Sequence, residues 1–182
     1  MIRPRAGGFV ASALDVEAML AEIAAVKAAG LEGVVLGVSL RDGRLDADLL
    51  GLLIAASAGL RLTLHRVLDR TPDQDAALDT AIALGFDTVL TSGGALTAVA
   101  GQTVIARLVA RSAGRVTVMA GGGVTPGNAG GLAAATGASW LHASARAARP
   151  VDAADVAFGF AKADARDTDA DTARAIKAAL AG

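Results

Sequence analysis

Short apolar runs rich in β-branched residues alternate along this chain with amphipathic helical segments, and a polar or glycine-rich cluster follows almost every run. The runs are Gly33–Val38, Leu60–Val67, Phe86–Thr91, Val116–Ala120 and Ser139–Ala143, and Met1–Arg5 reads as the tail of a further strand. Between them, helical spacing of apolar residues predicts helices over Leu14–Ala29, Asp46–Ala58, Pro72–Leu84, Thr103–Ala113 and Pro126–Thr136. Thr71 and Thr125 precede Pro72 and Pro126 and read as N-caps. Arg41-Asp42-Gly43-Arg44 reads as a turn. After Pro150 the pattern loosens until a terminal helix over Asp169–Leu180. Strands that are nearly all apolar, separated by helices, belong to a parallel sheet with helices packed on it.

The 182 residues make one domain, residues 1–182. A closed (β/α)₈ barrel needs eight strand–helix units and typically about 250 residues; this chain has room for six. Two architectures fit: an open doubly wound sheet, or a barrel missing two units.

Composition removes several function classes. A net charge of −1 is not the basic excess that nucleic-acid binding uses. With zero cysteines the sequence offers no disulfide, no thiolate metal site and no cysteine nucleophile. No segment approaches the ~20 uninterrupted apolar residues of a membrane span, and Met1–Arg5 lacks the apolar core of a signal peptide. A soluble cytoplasmic protein without nucleic-acid or membrane partners is expected.

The polar clusters carry the functional signal. Arg3 and Arg5, then His65, Arg66 and Asp69, then Thr91-Ser92-Gly93, then Gly121-Gly122-Gly123 with Asn128, then His142 and Ser144 each stand at or just after the end of a run. In both architectures ligands bind at the C-terminal ends of parallel strands, so these clusters are expected to share one rim. Strand alternation puts Thr63 and His65 on one face and Leu62, Leu64 and Arg66 on the other. His65 is a candidate general acid/base, because its ordinary pKa lies near working pH. Asp69 either orients His65 or pairs with Arg66, and the ion pair is the favoured reading. The glycine loop allows close backbone approach and opens a helix, so its amides can hold an anion; Arg3 and Arg5 suit a carboxylate or phosphate. Two histidines and scattered carboxylates make a poor metal site, and no metal ligand is assigned.

Taken in order, Ile2-Arg3-Pro4-Arg5 with Gly7 and Phe9, Gly33–Val38, Thr63-Leu64-His65-Arg66 with Asp69, Val89-Leu90-Thr91-Ser92-Gly93, Met119–Val124, Asn128 and His142-Ala143-Ser144-Ala145 resemble the CutC copper homeostasis family. The resemblance implies a TIM barrel of which this sequence carries about six of eight units, a cytoplasmic location, and a role in copper homeostasis with copper binding. It also implies that Arg3, Arg5, His65, Arg66, Asp69, Thr91, Ser92, Gly93, Asn128, His142 and Ser144 sit at the barrel mouth. The glycine loop and the His142 strand then correspond to units seven and eight, whose loops often bind phosphate in barrels.

The sequence departs from the family where copper would matter. It starts at the Arg-Pro-Arg strand, so the acidic and cysteine positions of two earlier strands have no counterpart, and Ala6-Gly7-Gly8-Phe9 replaces a Gly-Gly-Asp-Phe pattern. The cofactor is therefore unassigned: copper is implied by resemblance only, and no cysteine ligand is present. An incomplete barrel exposes strand edges that invite pairing with another chain. Either the reading frame begins too late, or the chain is a homo-oligomer, or a six-unit protein stands alone. Three functions compete: the family's copper role, a barrel enzyme or binder acting on a small phosphorylated or carboxylated metabolite, and a scaffold for association.

Overall fold

The computed structural model describes residues 1–180. Five strands, β1 (Gly33–Leu36), β2 (Arg61–Leu64), β3 (Thr88–Thr91), β4 (Thr117–Gly121) and β5 (Trp140–His142), form one parallel sheet in the order β1-β2-β3-β4-β5. Sequential order settles the choice between architectures. A doubly wound sheet reverses its strand order at a switch point, whereas strands added always to the same side make the arc of a barrel. The register runs Leu36 beside Leu64, Leu64 beside Val89, Val89 beside Val118 and Gly121 beside His142. Among the described residues the arc does not close.

Helices α1 (Ala13–Ala28), α2 (Ala47–Ala56), α3 (Gln74–Ala83), α4 (Gln102–Ser112) and α5 (Ala129–Thr136) follow the predicted segments to within a few residues. Alternation sends Val34, Leu36, Leu62, Leu64, Val89, Val118 and Ala120 to the helix side, where they join Ile23, Leu50, Leu53, Leu78, Leu108 and Leu132 in one buried core. The other face carries Val35, Thr63, Leu90 and Met119, and it opens onto the strand ends.

Several expectations are corrected. Met1–Arg5 is not a strand; only the Ile2 amide bonds to the sheet, donating to Val35 O at 2.7 Å. In a parallel register the next donor falls at Pro4, which has no N–H. Strand β2 ends at Leu64 rather than Val67, and Arg66–Arg70 winds into a 3₁₀ turn capped by His65. Helix α3 starts at Gln74 with Asp73 as cap, because Asp73 accepts from the Asp75 and Ala76 amides while Thr71 donates back to Leu68 O. Helix α5 starts at Ala129 with Asn128 in the cap position, not at Pro126 behind Thr125. Beyond Pro150 the chain is more regular than its pattern suggests. β6 (Arg146–Ala148) pairs antiparallel with β7 (Arg166–Thr168), around the short α6 (Ala153–Ala157). The terminal helix α7 (Ala170–Ala178) is shorter than expected and docks through Ile176. Among the described residues no helix is long and apolar enough to cross a membrane.

Candidate functional site

The 3₁₀ turn after β2 creates the site. Straight-strand alternation would separate His65 from Arg66, but the backbone turns as soon as His65 N has donated to Leu36 O (3.0 Å). The imidazole then caps the turn: its Nδ1 accepts the Val67 amide N–H at 3.1 Å. Both side chains consequently line one cavity of about 310 Å³, whose wall also includes Arg3, Phe9, Gly122, Gly123, His142 and Ser144. Residues 141 positions apart in sequence thus meet at the C-terminal ends of β2, β4 and β5.

His65 is 3% exposed. Gly37 makes room for it, since a Cβ there would stand 2.6 Å from His65 Cε1 and 2.7 Å from Nδ1. Phe9 tilts across the ring at 5.0 Å between centroids, and the Arg3 guanidinium lies 4.7 Å from the centre of the Phe9 ring. Burial, and then the nearby Arg3 charge, push the imidazole pKa down to about 4.

Arg66 is held by three acceptors. Its Nε donates to Asp69 Oδ2 at 2.6 Å, and its Nη2 donates to Ser92 Oγ and to Ala95 O at 3.3 Å. Nη1 has no acceptor among the described residues and faces Gly122, where a Cβ would come within 3.2 Å of it. Gly122 also has φ +113°, a conformation that an L side chain rarely adopts. The amides of Gly123 and Val124 have no acceptor among the described residues either, whereas that of Gly122 is turned toward β5 by the pairing of Gly121 with His142. Sequence and structure therefore set an immobilised guanidinium edge beside a row of free N–H groups.

The remaining candidates support this arrangement from behind. Asp69, with a side chain 6% exposed, accepts from Thr91 Oγ1 (2.5 Å), Ser92 N (2.9 Å) and Gly94 N (3.0 Å) as well as from Arg66. It pairs with Arg66, as favoured, and staples the β2 turn to the β3 loop. Thr91 Oγ1 in turn accepts from Gly93 N at 2.9 Å. Asn128 braces its own loop, accepting from Thr125 N (2.8 Å) and donating to Gly123 O (2.9 Å). Arg5 turns away, pairing with Asp15 at 3.0 Å and donating to Val10 O at 2.7 Å. Asp69, Thr91, Ser92, Gly93, Gly121, Asn128 and Arg5 do not line the cavity. Phe9 and Gly37 were legible only as landmarks of the resemblance; nothing in their own residue type marks a contact with His65.

The model of the CutC family matches residues 1–147. A CutC family protein from Sinorhizobium medicae is 46% identical over 181 residues, which cover 99% of this chain and 74% of the relative. One from Caulobacter vibrioides is 44% identical, with 98% of this chain and 74% of the relative covered. Among solved structures, that of a protein from Streptococcus agalactiae described as the copper homeostasis protein CutC matches with a TM-score of 0.75 and 32% identity, over 78% of this chain and 70% of the other. A structure described as native KDPGal shares 16% identity at a TM-score of 0.56 and shows likeness of fold alone. By its family model and its relatives, the chain belongs to the CutC family.

Proposed function

We propose that the chain binds a small phosphorylated or carboxylated metabolite at the rim formed by the C-terminal ends of its parallel strands. One observation carries this reading: Arg3, Arg66, Gly122 and Gly123, far apart in sequence, line a single cavity of about 310 Å³. Arg66 is already ordered by Asp69, Ser92 and Ala95, so little side-chain entropy is lost when its remaining edge meets an anion. The amides of Gly123 and Val124 add donors without adding bulk. A volume of this size suits a metabolite rather than a macromolecule.

The copper role in the name of the Streptococcus agalactiae protein finds little support in this donor set. Copper ions take thiolate, thioether or free imidazole nitrogen, and this sequence has no cysteine. Among the described residues no three histidine or acidic side chains come together. One nitrogen of His65 is occupied by a backbone N–H, and the Asp69 oxygens are filled by donors. Titration of the purified protein with cupric and cuprous ions is expected to show no stoichiometric micromolar site.

Thermal denaturation against a panel of phosphate esters and small carboxylates tests the anion reading. A ligand at one hundred times its Kd stabilises a protein by about 2.7 kcal/mol, a rise of roughly 5–10 °C for a domain of this size. Arg66→Lys keeps a charge beside Asp69 but loses the guanidinium fork, and is expected to weaken the hit about tenfold. A panel without any shift refutes the proposal.

A further inference from the structure

His65 contains the buried polar atom that the anion site leaves unused. Because Nδ1 accepts the Val67 N–H, that nitrogen carries a lone pair and the proton of the neutral ring sits on Nε2. This N–H has no partner among the described residues and is sealed from solvent. A buried donor with no acceptor is costly, so its retention in a ring that lines the cavity points to an acceptor brought by a ligand. Phe9 packs on the imidazole under the Arg3 guanidinium and covers part of the ring. Phe9 follows Gly7 and Gly8; Gly7 has φ +100°, and a Cβ on Gly8 would meet nothing within 4 Å. The backbone of this stretch is held, since Phe9 O accepts from Ser39 N at 2.9 Å and Gly7 O from Arg3 Nη2 at 2.6 Å, so uncovering Nε2 calls for the Phe9 side chain to change rotamer rather than for the backbone to move.

The chemistry of the acceptor follows from its surroundings. Charge on a ligand is answered by the Arg66 edge and the Gly122–Gly123 backbone, whereas His65 is neutral and has the Phe9 ring packed on it. A hydroxyl placed there would accept from Nε2 but leave its own hydrogen against the Phe9 ring. A carbonyl oxygen has only lone pairs and is satisfied by the donor.

We infer that His65 donates a hydrogen bond from Nε2 to the carbonyl oxygen of a small phosphorylated aldehyde or ketone whose phosphate rests on Arg66 and the Gly122–Gly123 loop. The inference depends on the anion reading above and names the ligand class for that cavity. His65 on this account polarises a carbonyl and does not remove a proton.

Nitrogen NMR on protein labelled at histidine tests it, and His142→Gln leaves a single imidazole to observe. The expected spectrum at neutral pH is that of the neutral Nε2–H form, with an N–H correlation that survives exchange and disappears in Phe9→Ala. Dihydroxyacetone phosphate and glycerol 3-phosphate differ only in carbonyl against hydroxyl. The ketone is expected to bind about 3- to 10-fold more tightly, the span one hydrogen bond supplies, and to shift the Nε2–H resonance in the native protein. His65→Phe is expected to erase the preference; the resonance shift tests the same contact should that variant fail to fold. An Nδ1–H or charged imidazole overturns the inference. Equal binding of both esters with an unmoved resonance overturns it and leaves the anion reading standing. Failure of both esters and of inorganic phosphate to bind overturns both.

Discussion

Asp69→Asn separates a supporting carboxylate from a reacting one. In the native protein Asp69 Oδ1 accepts from Thr91 Oγ1, Ser92 N and Gly94 N, and Oδ2 accepts from Arg66 Nε. The amide has nearly the same shape, but one oxygen becomes an NH₂ group facing donors, and the Arg66 pair loses its negative member. Whichever way the amide turns, at least one charge-assisted bond or two backbone bonds are lost. Breaking a buried pair by removing one partner costs about 3–5 kcal/mol. The exposed edge of Arg66, whose side chain is 40% accessible, lets water recover part of that, so about 2–4 kcal/mol is expected. For a chain of 182 residues this lowers Tm by roughly 5–15 °C. Asp42→Asn is the control: Asp42 also pairs with an arginine, Arg44, at 2.8 Å, but both side chains are at least half exposed, and its loss is expected to leave the Tm nearly unchanged. Thermal and urea denaturation of the three proteins measure the difference. Asp69→Asn with the stability of Asp42→Asn would refute the idea that Asp69 holds the two loops together.

Stability is expected to fall with acid in a window set by His65. Its folded pKa of about 4 lies below the ordinary 6.5, so between these values the unfolded chain binds the additional proton. The contribution of His65 is therefore fully present above pH 6.5 and is lost as pH drops toward 4, by up to about 3 kcal/mol. Urea midpoints across this range follow it, and His65→Gln should flatten the dependence. Gly37→Ala is expected to cost about 2–4 kcal/mol by driving a methyl into the imidazole, which stands within 2.7 Å; a native-like Tm and an unchanged His65 resonance would show that the ring moves aside freely. Gly122→Ala should lose about 1–2 kcal/mol to backbone strain and, by crowding Arg66 Nη1, weaken phosphate-ester binding; calorimetry and denaturation read the two effects separately.

Much of the architecture is legible in one dimension because it is periodic. Apolar runs of strand length separated by helices with a 3.6-residue repeat specify a parallel sheet coated by helices, and the ordered motifs identify the family. The clusters after each run mark the rim, since every parallel strand delivers its end to the same side. Composition excludes thiolate chemistry outright, through zero cysteines.

Which side chains meet at that rim depends on non-local geometry. Strand order decided between arc and doubly wound sheet, and it is set by crossovers that no single segment encodes. His65 and Arg66 were assigned to opposite faces because a strand alternates; the imidazole's own capping bond to Val67 stops the strand and brings both into one cavity. Arg3 and Arg5 share a residue type and a spacing, yet Arg3 lies over Phe9 while Arg5 is drawn off by Asp15. Asp69, Thr91 and Ser92 have the composition of a reactive cluster but bond to one another, and burial in that network gives them a structural part. Local sequence states what a residue can offer; only the packing of distant segments determines which acceptor, donor or open space it finds.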